Sequence, residues 1–137
     1  NYYEDFKGNV QNRDLLQASF SNCIIDGNME TEIFFDKSED AIFNYKIDHC
    51  VLKSNVEYWK EWVNNESEQV ILLENNTNCG IVNFNQNELT AIKSDFFLSE
   101  TSIAIDGGSI QIANEVPYDI ENNSRINTPD IGWAEYQ

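Results

Sequence analysis

Positive charge is what this chain has least of: Lys and Arg number 8 against 24 Asp and Glu, for a net charge of −16 at pH 7. A surface that negative repels phosphate backbones and anionic headgroups, which excludes nucleic acid as a partner. Long apolar runs are also missing. The longest runs, such as residues 70–73 and 103–105, fall far short of the ~20 residues a membrane-spanning helix needs. Cysteine is sparse and poorly spaced for metal or redox chemistry: Cys23, Cys50 and Cys79 make an odd number, with no CxxC pair among them. The one histidine, His49, sits beside Cys50, but a zinc set with Cys23 and Cys79 matches none of the usual ligand spacings. No EF-hand loop or glycine-aspartate nonapeptide occurs, so the acidic turn at 36–40 reads as solvated before it reads as a calcium site. No cofactor is implied. No stretch has the order of a signal peptide and the first residue is Asn1, so we expect a chain processed or cut from a longer one.

The chain's 137 residues suit one domain, and within it a pattern recurs. Residues 20–28, FSNCIIDGN, run as a short strand through Asn22 and Cys23 and end in a turn-former cluster. Residues 47–54, IDHCVLKS, repeat the pattern, with His49 in the place of Asn22 and Cys50 in the place of Cys23, and a fainter copy lies at 78–82. The cysteines are 27 and 29 residues apart. A period of that size built from short strands predicts a solenoid whose repeats bury their apolar faces by stacking. On this reading Phe20, Cys23 and Ile25 point inward, as do Cys50 and Leu52. Asn22 and His49 are bend residues, Asn because it tolerates the left-handed region. The cysteines stack as buried free thiols that behave as small hydrophobes. Residues 33–35 are expected to add another short strand, and 70–73 a buried one.

Residues 56–65, VEYWKEWVNN, break the rhythm: Trp59, Trp62 and Val63 share the spacing of one helical face. A short helix inserted between coils is predicted. Trp59 and Trp62 with Tyr58 are the candidate ligand-binding residues, since an indole face can stack on a sugar ring; the competing reading is that they cover the core. Sequons at Asn65, Asn75 and Asn122 are given no weight in a chain so rich in Asn.

The C-terminal third carries a family resemblance. Residues 102–108, SIAIDGG, resemble the "SPAIDAG" signature near the C-terminus of bacterial right-handed parallel β-helix proteins, and 95–98, DFFL, resemble the "DFRL" strand before it. Residues 119–125, DIENNSR, are similar to "DLDGNPR", and 129–135, PDIGWAE, to the closing "DIGAYE". Ile103, Asn122 and Ser124 depart from the pattern at turn positions. The resemblance implies an all-β fold, a right-handed parallel β-helix of about three to four coils with the helical insertion and a C-terminal cap. Its expected parts are an irregular cover at 1–14, coils at 15–98, and a terminal coil with its cap at 99–137. It further implies a cell-surface or secreted location and more coils preceding Asn1. In the cap, Asp106, Asp119 or Asp130 is expected to hold Arg125, with Ile131 and Trp133 sealing the core.

Two functions follow. The first is a non-catalytic module binding a polysaccharide or a surface protein. The second is a polysaccharide lyase or glycoside hydrolase acting on an acidic polysaccharide, with Asp26 and Asp48 near equivalent bends. Hydrolysis needs two carboxyls roughly 5–9.5 Å apart, and a lyase wants a basic residue beside a calcium-bound carboxylate, for which this chain has few candidates. The binding module is the preferred reading.

Overall fold

The computed structural model describes residues 1–62, 70–73 and 97–137, with the backbone alone at 71–73. An antiparallel hairpin opens the chain, β1 (Tyr2–Glu4) pairing with β2 (Val10–Asn12). Gly8, at φ 81, makes its turn, where a side chain would be strained. The irregular cover expected at 1–14 is thus largely a hairpin.

Next come β3 (Ser19–Ser21) and β4 (Ile24–Ile25), then β5 (Lys46–Asp48) and β6 (Val51–Lys53). β3 lies parallel to β5 and β4 parallel to β6, with Phe20 opposite Ile47 and Ile24 opposite Val51. Asn22 stands between β3 and β4 and His49 between β5 and β6, at φ 50 and φ 49. The left-handed bend lets the backbone change direction within one residue, so the inward positions shift phase there. A third strand, β7 (Ile71–Leu73), pairs with β6 in parallel, Leu52 opposite Leu72. Helix α1 (Val56–Trp62) intervenes, opened by Asn55, whose side chain accepts from the N–H groups of Glu57 and Tyr58 at 2.9 and 3.2 Å.

The expected β-helix is corrected by this arrangement. Among the described residues there are two sheets of two strands and one of three, two short helices, and no closed or continuous solenoid sheet. Strands of two or three residues are too short to merge into long faces, and residues 33–35 form no strand at all. The next strand to join β6 stands at 71–73, 20 residues on from 51–53; the third repeat expected at 78–82, with Cys79, lies outside the described residues.

The C-terminal segment does not continue a coil either. It lies against the outer face of the three-stranded sheet, where Val51, Leu98, Ala104 and Ile131 form one buried cluster with Ile24 and Ile105 against it. The opposite face belongs to a second cluster, built on Tyr45, Ile47, Cys50, Leu52 and Trp59, into which Cys23 and Ile25 pack. Strand β6 is therefore buried on both sides, as parallel strands usually are. Gly108 fits because its backbone N–H donates to the Pro129 carbonyl at 2.8 Å, and a Cβ would lie 2.8 Å from that same oxygen. Phe20, expected inside, keeps 37% of its surface exposed; it stands on β3, which among the described residues pairs with β5 alone. Among the described residues no helix is long and apolar enough to cross a membrane.

Candidate functional site

The sequence pointed first to Tyr58, Trp59 and Trp62, and the structure sets all three in packing. Trp59 retains 4% of its surface and belongs to the inner core. Trp62 packs on Phe35, ring centroids 5.2 Å apart, with Lys37 5.9 Å above it, and its carbonyl accepts from the Tyr45 hydroxyl. Tyr58 is fixed by its hydroxyl, which accepts from the Phe35 N–H at 2.6 Å. Tyr58 and Trp62 meet protein aromatics at tilted angles, and Trp59 and Trp62 pack in the inner core.

The carboxylates considered for sugar cleavage are likewise committed. Asp26 lies 3.7 Å from the buried Lys53 ammonium, which donates to the Gly27 carbonyl at 2.5 Å. Asp48 meets Lys46 at 2.8 Å and the His49 Nδ1 at 2.6 Å. Burial pushes the Asp48 carboxyl up, but the hydrogen bonds from Lys46 and His49 outweigh it and hold the group below its ordinary range. His49 thus serves at a bend, tied to its neighbour. Asp36, in the acidic turn at 36–40, accepts from the Tyr2 hydroxyl at 3.0 Å. Among the described residues no group of three or more His, Cys, Asp or Glu side chains is placed to hold a metal ion.

What the fold does build is a groove of about 350 Å³ between the β3–β4 bend, helix α2 (Ile110–Glu115) and the C-terminal segment. Asn22 anchors one wall. Its buried side-chain amide accepts from the Ser109 N–H at 2.7 Å and donates to the Ser109 carbonyl at 3.4 Å, while its own carbonyl accepts from Gly132 N–H at 2.9 Å. Ser109 in turn caps α2 by accepting from Ile112 N–H. The bend residue read from the sequence is therefore also the joint that fastens the C-terminal third.

The opposite wall rests on a buried network. The Asp119 carboxylate accepts from the N–H groups of Glu121, Asn123 and Glu135 at 2.9, 2.7 and 2.8 Å, and from the Asn123 amide at 3.0 Å. Burial raises its pKa, but these bonds prevail and hold it low. Arg125, also buried, donates to the Gly132 carbonyl at 2.8 Å and the Asp130 carbonyl at 3.3 Å, and its carboxylate partner is Glu135 at 3.4 Å. The expected pairing with Asp106, Asp119 or Asp130 is corrected accordingly. Asp130 spends its carboxylate on the N–H groups of Asp106 and Tyr136 at 2.7 and 2.6 Å, and Asp106, at φ 56, is an exposed bend residue. Burial pushes the Glu135 carboxyl up, and the nearby Asp130 and Asp119 charges add to that against the pull of Arg125.

Onto this frame the groove presents Val116, Tyr118, Ile120 and Trp133, all exposed. Trp133 does not seal the core as expected; that part falls to Ile131, with none of its surface exposed, while the indole stays 42% exposed and leans on Phe97 at 5.1 Å. Sequence reasoning missed Val116, Tyr118 and Ile120. The available signal was four large apolar residues flanking two polar turns, a pattern equally fit for burial. The lining also includes Asn22, Asp119 and Arg125, each already hydrogen-bonded within the protein. Comparison of the chain with protein-family models, with curated proteins and with solved structures returned no match.

Proposed function

We propose that this chain is a non-catalytic binding module that takes a neutral saccharide in the groove between the Asn22 bend and the C-terminal segment. The observation that carries it is the exposure of the Tyr118 and Trp133 rings together in one concavity. An aromatic face covers the apolar face of a sugar ring, and polar side chains and backbone at the edge can meet its hydroxyls. The net charge of −16 disfavours uronate polymers, which would approach against like charge.

The test is titration with neutral oligosaccharides, followed by tryptophan fluorescence and by backbone NMR shifts. Binding should perturb residues around Trp133, and Trp133→Ala should weaken it by about tenfold or more, the loss expected for one stacking contact of roughly 1.4 kcal/mol. Binding that survives Trp133→Ala unchanged, or shifts confined to α1, would overturn the reading. Unsaturated product absorbing near 235 nm from a uronate polymer would replace it with the lyase alternative.

A further inference from the structure

Cys23 and Cys50 each stand one residue before a register pair, Ile24 opposite Val51, and the Val51 N–H donates to the Cys23 carbonyl at 2.9 Å. Neighbouring parallel strands lie about 4.8 Å apart, within the roughly 4.4–6.8 Å of Cα separation that a disulfide accepts. Both side chains enter the same inner cluster, and both are free thiols. Their sulfurs also lean on adjacent carbonyls: Cys23 Sγ donates to Ser21 O at 3.1 Å, and Cys50 Sγ reaches back to Phe20 O at 3.4 Å. Cys50 Sγ also lies 3.3 Å from Asp48 O, so it sits between its own backbone and that of the earlier strand.

We propose that Cys23 and Cys50 form an oxidisable dithiol that closes to an intramolecular disulfide on reaction with a peroxide. Cys23, half-buried, is the attacking sulfur, and Cys50, with no exposed surface, resolves. The Cys23 thiolate attacks one peroxide oxygen, the O–O bond breaks, and the departing oxygen takes a proton and leaves as water, giving a sulfenic acid. The Cys50 sulfur then attacks the Cys23 sulfur, the S–O bond breaks, and the hydroxyl leaves with the Cys50 proton as a second water. Two thiols are oxidised to one disulfide and one peroxide is reduced to two waters. The roles agree with the electrostatics: hydrogen bonding between the thiols draws Cys23 down to about 6 and, together with burial, pushes Cys50 up. This device is independent of the groove and of its ligand.

The experiment treats the folded chain with hydrogen peroxide, blocks remaining thiols with iodoacetamide, and digests with trypsin. Cleavage after Arg13, Lys37, Lys46 and Lys53 puts Cys23 and Cys50 in separate peptides, and Cys79 in a third. The expected result is a peptide pair linked through Cys23 and Cys50, an intact mass lower by about 2 Da, and reversal by dithiothreitol. Cys50→Ser should instead stop at a sulfenic acid on Cys23 that dimedone traps; should that variant fail to fold, the peptide map of the unaltered chain still decides. Alkylated Cys23 or Cys50 after treatment, or a link to Cys79 or to a second molecule, would overturn the proposal.

Discussion

Arg125 shows how much of the C-terminal third depends on one side chain. It satisfies two backbone carbonyls and offsets the charge of Glu135, itself buried. Removing it leaves that carboxylate unpaired, so Arg125→Ala should lower stability by about 3–5 kcal/mol, read by urea denaturation at pH 7. The loss should also depend on pH. Glu135 titrates above the ordinary glutamate range, so its charged form is a cost in the fold that is present above the folded pKa and relieved as pH falls through it. The deficit of Arg125→Ala relative to the unaltered chain should therefore shrink as pH is lowered from 7 toward the ordinary glutamate range, and a deficit that stays constant or widens would contradict the pairing. In the sequence Arg125 was legible as a buried anchor, because a lone Arg among Asp-rich turns needs a partner. Which carboxylate it meets was not, since Glu135 reaches it only once residues 129–135 have folded back.

At the scale of elements, the three-stranded sheet explains where alternation misleads. A strand with one wet face tolerates change at every second residue, but β6 has Val51 in the outer cluster and Leu52 in the inner one, both with no exposed surface. Leu52→Ala should cost about 2–5 kcal/mol, and Val51→Ala more than about 1 kcal/mol, since each leaves a cavity. A thermal melt in which Val51→Ala is silent would mean that the C-terminal segment does not cover this face. The bends at Asn22 and His49 could be read from the phase shift in the apolar pattern, and the helix over 56–62 from its tryptophan spacing. The hairpin at 2–12 could not, because its strands are largely exposed and carry no apolar period. The family resemblance at 95–135 led to a terminal coil; the chain instead forms bends, α2 and the Arg125 network, since successive turns at Asp106, Asn122 and Asn127 take positive φ.

For the whole molecule the governing quantity is its net charge of −16. The exposed pair Lys60 and Glu57, at 2.6 Å, contributes little against such self-repulsion. Raising NaCl from about 10 to about 500 mM should increase the melting temperature by a few degrees by screening, and a decrease would show that attractive pairs dominate. The sequence by itself determined the sign of that field, the absence of a long apolar span, the short strands and their bends, because these are properties of local pattern and composition. Only the tertiary structure decided that the C-terminal third crosses the outer face of the sheet, that the tryptophans of α1 are spent on packing, and that Trp133 with Tyr118 opens onto a groove. Whether a large apolar residue is covered or presented depends on what the rest of the chain brings against it, and that contact is set by residues distant in the sequence.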